Sequence, residues 1–114
     1  MFLPISSRLF VNLHTDPNGF RYEGGLETVD VGLDQIERIE AYTRVGVPDD
    51  LFCMDIWLDR TARSPGPVSI NEQMQGFDAV VEGLEELRGF DPLWRDKVRL
   101  SRVAENRTVV YERG

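Results

Sequence analysis

The sequence predicts an α+β fold, in which a curved antiparallel β-sheet or partly open barrel is packed by one main amphipathic helix from the C-terminal half. Three observations carry this. Short runs with a two-residue apolar period fill the chain as far as Ile70. Clusters of Gly, Pro, Asn and Asp separate those runs. One longer stretch, Met74 to Leu87, then changes to the helical period.

The first strand is expected at Arg8–His14, with Leu9, Val11 and Leu13 on one face. Asp16-Pro17-Asn18-Gly19 is a turn, because proline fixes φ and Asn-Gly tolerates the left-handed conformation. Phe20–Glu23 returns as the hairpin partner, Gly24-Gly25 interrupts it, and Glu27–Val31 alternates again. Asp34–Ile39 forms either one helical turn or the start of a strand. Arg38–Val45 then sets Ile39, Ala41, Thr43 and Val45 against Arg38, Glu40, Tyr42 and Arg44. After a turn at Gly46–Asp50 comes Leu51–Asp59, where Phe52, Met54, Ile56 and Leu58 make an unusually clean core face. Arg60–Pro67 is an exposed loop and Val68–Ile70 a short strand.

The helix is predicted over residues 72–88. Met74, Phe77, Val80, Val81, Leu84 and Leu87 form one apolar stripe, opposed by Asp78, Glu82, Glu85 and Glu86. Asn71 is placed to cap its start and Gly89 its end. Asp91-Pro92 opens a short helical turn on which Trp94 packs, and Thr108–Glu112 reads as a final strand. The whole chain, 1–114, is expected to be one domain.

A hydrophobic content of 41% suffices for a core without disulfides or metal, and a single cysteine cannot form an internal disulfide. The segment MFLPISSRLF has no basic region ahead of a long apolar run, and no stretch approaches the ~18 apolar residues of a membrane span. A cytoplasmic location without membrane association is the expectation. Net charge is −7, unevenly distributed. Residues 1–87 carry 6 basic and 16 acidic side chains, a net of −10, while residues 88–114 carry 7 and 4, a net of +3. The acidic part would repel phosphate backbones, so no nucleic-acid partner is expected.

Catalytic patterns are weak. A cysteine hydrolase needs a thiolate and a histidine base. The single histidine, His14, lies far from Cys53 in sequence at the edge of a turn. Cys53 also shares its strand face with Asp55, and a neighbouring carboxylate raises a thiol pKa. One Cys and one His cannot supply a zinc site. His14–Gly19 echoes a calcium loop, but His14 stands where a carboxylate is needed and Gly25 where the bidentate glutamate belongs. Gly24-Gly25 and Ser64–Pro67 lack the lysine of a phosphate loop. No catalytic residue, metal or cofactor is assigned.

The features that remain suit recognition. Tyr42 and Trp57 stand on the more polar faces of their strands, Phe10 is similarly placed on the first, and Asp55 and Asp59 flank the tryptophan. These five residues form the candidate interaction surface, since aromatics set among charges anchor interfaces. The simpler alternative is that the C-terminal segment, with Trp94 and Val109-Val110-Tyr111, covers them.

Ile36 and Ile39 leading into a strand, a long apolar strand with a Pro/Gly-rich loop, a short strand, and Glu72, Met74, Gly76 and Phe77 opening a helix follow one another from Gln35 to Leu87. This run resembles the small bacterial pleckstrin-homology-like domains. The segment Asn106 to Arg113 (N-R-T-V-x-Y-E-R) is also similar to the ends of short uncharacterised bacterial proteins. The first resemblance implies an antiparallel sheet closed by a helix, used as a protein-interaction scaffold. Two features depart from it. About 25 residues follow the helix, and the first hairpin offers only Arg8, Arg21 and one histidine where lipid-binding members carry a basic cluster.

The expected function is therefore a non-enzymatic interaction module that takes a protein partner or forms a homodimer. An inhibitor or immunity-type protein directed at a basic partner is its concrete form, since the acidic field would steer a cationic surface. The alternative is a small-molecule-binding protein or small enzyme using a pocket beneath the 72–88 helix.

Overall fold

The computed structural model describes residues 11–25, 27–44, 51–62, 66–100 and 107–113. Along them run β1 (Val11–Asp16), β2 (Gly19–Gly24), β3 (Glu27–Gly32), a 3-10 turn (Leu33–Gln35), β4 (Ile36–Arg44), β5 (Leu51–Leu58) and β6 (Val68–Asn71). Then follow α1 (Phe77–Glu85), α2 (Trp94–Leu100) and β7 (Thr108–Glu112).

The class is α+β, but the described strands form neither one curved sheet nor a barrel. Among the described residues there are two antiparallel sheets, β1-β2-β3 and β6-β5-β4-β7. The division falls at the 3-10 turn. Leu33 donates its amide to the Asn18 carbonyl at 2.8 Å, closing the first sheet against its own β1–β2 turn. Gln35 instead accepts from the Asp59 amide at 2.8 Å, so the chain leaves β3 and starts β4 beside β5.

One core joins the two sheets. Leu13, Phe20 and Val31 from the first meet Ile39, Met54 and Ile56 from the second, with Phe77, Val80, Val81 and Leu84 of α1 packed against them. Burying each such side chain contributes about 1.5–3 kcal/mol. The apolar face expected on β5 is the one that packs inward: Met54 and Ile56 are buried, and half-buried Phe52 and Leu58 pack against the core.

Strand parity breaks twice, each time at a bulge. The register shifts between Ile36 and Arg38, so Ile36 and Ile39, three residues apart, both reach the core. On β7 a second shift, opposite Ile39 and Glu40, allows the consecutive Val110 and Tyr111 to be buried together.

The main helix is shorter than the predicted 72–88, and Asn71 is not its cap. Asn71 instead closes a turn, its Oδ1 accepting from the Gln73 amide at 2.9 Å. Gln75 is then engaged by β1: its carbonyl accepts from Leu13 at 2.8 Å and its amide donates to Val11 at 3.2 Å. Backbone spent on a strand cannot begin a helix, so α1 starts after Gly76, whose φ is +93°. A Cβ at Gly76 would lie 2.2 Å from the Leu13 carbonyl oxygen, so the contact with β1 requires glycine there.

The Asp91-Pro92 turn forms as expected, with Asp91 Oδ1 accepting from the Leu93 amide at 2.9 Å. It leads into α2, where Trp94 is fully buried. The Trp94 indole donates to Glu85 Oε2 at 3.0 Å and meets the Phe52 ring edge-to-face at 5.4 Å, tying α1, α2 and β5 together. Among the described residues no helix is long and apolar enough to cross a membrane.

Candidate functional site

The outward face of the second sheet follows from register. Arg38, Glu40 and Tyr42 on β4 stand opposite Trp57, Asp55 and Cys53 on β5, and Asp55 in turn stands opposite Ser69 on β6. Alternation keeps all of them off the apolar core, and neither Tyr42 nor Cys53 belongs to it although both are buried.

Asp55 organises this face. It is 5% exposed and accepts from the Tyr42 hydroxyl at 3.1 Å, the Ser69 hydroxyl at 2.7 Å and Arg107 Nη1 at 2.7 Å. Glu40, directly opposite and 9% exposed, lies 3.3 Å from the same Arg107 nitrogen and also pairs with Arg38. Two opposed carboxylates on adjacent strands repel each other, and the Arg107 guanidinium between them offsets this. Arg107 also covers the Tyr42 ring at 4.3 Å, and its pKa is raised, first by the hydrogen bond to Asp55.

The same arrangement favours the protonated forms of two groups on this face. Burial, reinforced by Asp55, pushes the Tyr42 phenol up to about 12, so it stays protonated and donates. Burial likewise pushes the Cys53 thiol up, which disfavours the nucleophilic thiolate. Cys53 is 2% exposed.

Four of the five residues of the candidate surface are described, and their surroundings differ. Phe10 lies outside the described residues. Tyr42 and Asp55 are joined by the hydrogen bond above and are buried. Trp57 is half-buried under the Arg38 guanidinium at 5.7 Å, beside an open hollow of about 420 Å³ that Glu37, Glu112 and Arg113 also line. Asp59 belongs to a separate staple: it accepts from the Thr61 hydroxyl and amide and from Arg113 Nη2 at 3.0 Å, and its carboxyl is held below the usual range, first by the Thr61 hydroxyl.

The described residues of the C-terminal segment do not lie over this face as a layer. β7 extends the sheet at the β4 edge, Val110 and Tyr111 face the core with Trp94, and Val109 is 43% exposed. Arg107, just before β7, reaches across this face. The sequence marks Arg107 only as one of seven basic residues in 88–114 and as part of the Asn106–Arg113 segment, which does not single it out.

A second concavity lies between α1 and the β1–β2 turn, with a volume of about 440 Å³. Phe20, Leu33, Leu84 and Leu87 provide its apolar lining, and Asp16, Glu82 and Glu86 its exposed carboxylates. Gly83 lines it as well, and a Cβ built there meets nothing within 4 Å.

No family model matches the chain, and comparison with curated proteins and with solved structures finds no significant match.

Proposed function

We propose that the protein is a non-enzymatic interaction module that binds a basic protein partner, as an inhibitor or immunity-type protein would. The observation that carries this reading is how its charges are distributed. Among the described residues, Arg21, Arg38, Arg95, Lys97, Arg107 and Arg113 are each paired with a carboxylate of the same chain. Asp78 and Glu82 of α1 and Glu86 just beyond it are exposed and, among the described residues, make no such pair. Six of the ten described cations are paired in this way, Arg44, Arg60, Arg88 and Arg99 being the other four, while the carboxylates of this flank face outward within a chain of net charge −7.

A pleckstrin-homology-like scaffold is part of this proposal. Antiparallel strands followed by an amphipathic helix support it, and β7, which comes after both helices, departs from it. Fold analogy by itself assigns no activity.

The test is calorimetric titration against a panel of small basic proteins, with acidic proteins of similar size as controls, at low and at physiological salt. Binding confined to the basic members and weakening with salt is the expected result. If none binds at low salt and the protein sediments strictly as a monomer, the proposal is wrong.

A further inference from the structure

We infer that the basic partner docks in the cleft between α1 and the β1–β2 turn, through a segment that carries an apolar side chain flanked by lysine or arginine. This rests on the reading of the protein as an acidic interaction module and names where that module binds.

Three features of the cleft define the occupant. Its lining includes Phe20 and Leu84 from the core, with Leu33 and Leu87 half-buried beside them, so an apolar group entering it gains contact and leaves water. Its charged lining residues are Asp16, Glu82 and Glu86, all exposed, and among the described residues no lysine or arginine lines it. An apolar floor beside carboxylates complements a basic amphipathic segment and disfavours an acidic or purely apolar one. Gly83 leaves open space above its Cα, in the middle of the helix face that bounds the cleft.

The hollow beside Trp57 lacks this complementarity. It is lined by Glu37 and Glu112 but also by Arg38 and Arg113, and those arginines already pair with Glu40 and Asp59. Its signs cancel, so it selects no charge class.

The experiment uses the full chain and two fluorescent peptides of equal length, one of lysine and leucine in amphipathic order and one of lysine and serine. Three variants are compared with the parent after circular dichroism confirms that each is folded. Glu82→Lys with Glu86→Lys reverses the cleft. Asp96→Lys with Glu112→Lys makes the same change in net charge on exposed residues that do not line it. Gly83→Leu fills the cleft without altering charge.

The parent is expected to bind the lysine–leucine peptide more tightly than the lysine–serine one. Cleft reversal should weaken that binding about tenfold, the effect of turning two exposed attractions into repulsions. The remote pair should cost no more than about threefold, and Gly83→Leu should weaken the leucine-containing peptide selectively. If the remote reversal costs as much as the cleft reversal, or Gly83→Leu leaves binding unchanged, the cleft is not the docking site although the interaction reading survives. If the parent binds neither peptide at low salt, both readings fall.

Discussion

Replacing Arg107 by methionine keeps a long apolar stem over Tyr42 but removes the cation between Glu40 and Asp55. Those carboxylates are directly opposite in the β4–β5 register and are 9% and 5% exposed. Opposed residues on paired strands have Cβ atoms about 5 Å apart, and at that separation two unit charges repel by ~3 kcal/mol at an effective dielectric of ~20. Asp55 would keep its bonds from Tyr42 and Ser69, and Glu40 its pairing with Arg38. The Arg107 side chain is itself 42% exposed, so water replaces part of what it supplied. The expected cost is therefore about 2 kcal/mol, below the 3–5 kcal/mol of breaking a fully buried pair. Urea unfolding at neutral pH measures it. The diagnostic form is a double-mutant cycle with Asp55→Asn, where removing one of the two repelling charges should make the double variant less destabilised than the sum by ~1 kcal/mol or more. A cost under ~0.5 kcal/mol for Arg107→Met, or strict additivity in the cycle, would refute the argument that Arg107 makes the buried carboxylate pair tolerable.

Gly76→Ala should destabilise by more than ~2 kcal/mol, because φ is +93° and a Cβ would sit 2.2 Å from a backbone oxygen; a near-neutral change in thermal midpoint would contradict the close approach to β1. Tyr42 should ionise near pH 12 in an ultraviolet titration, and Tyr42→Phe should remove that late component. Its folded pKa is raised, so its contribution to stability is complete below the unfolded value near 10 and is lost as pH climbs from there towards about 12. Asp91 runs the other way: the hydrogen bond from Lys97 leads in lowering its pKa, so its contribution is complete above the unfolded value near 3.8 and is lost as pH falls through the folded one, and Asp91→Asn should flatten that acid limb. Cys53 should react with a thiol reagent far more slowly in the folded protein than in urea, and equal rates would show that its burial is wrong.

Local pattern by itself determined the class and most elements. Alternation in Leu51–Leu58 and the apolar stripe on α1 each name a core face, because a side chain's direction there is fixed by backbone period alone. The turns at Asp16–Gly19 and Asp91-Pro92 were equally legible, since their chemistry lies within a few residues. What lies between segments was not. Splitting the strands into two sheets depends on whether β4 pairs with β3 or with β5, a choice settled by non-local hydrogen bonds. The late start of α1 has the same origin, since helix propensity at 72–76 is overruled by β1 taking the Gln75 backbone. Bulges at Glu37 and Val110 reset strand parity, which a fixed two-residue period cannot anticipate.

The candidate site divides along the same line. The sequence put Tyr42, Asp55 and Trp57 on the polar face of the sheet and marked the acidic flank of the helix. Only the tertiary structure decided that Tyr42 and Asp55 are buried partners, that Arg107 arrives from 52 residues beyond Asp55 to join them, and that Glu82 and Glu86 share a cleft with Asp16. A side chain's face is a property of its own segment. Its partner and its exposure are properties of whatever segment the fold brings to meet it.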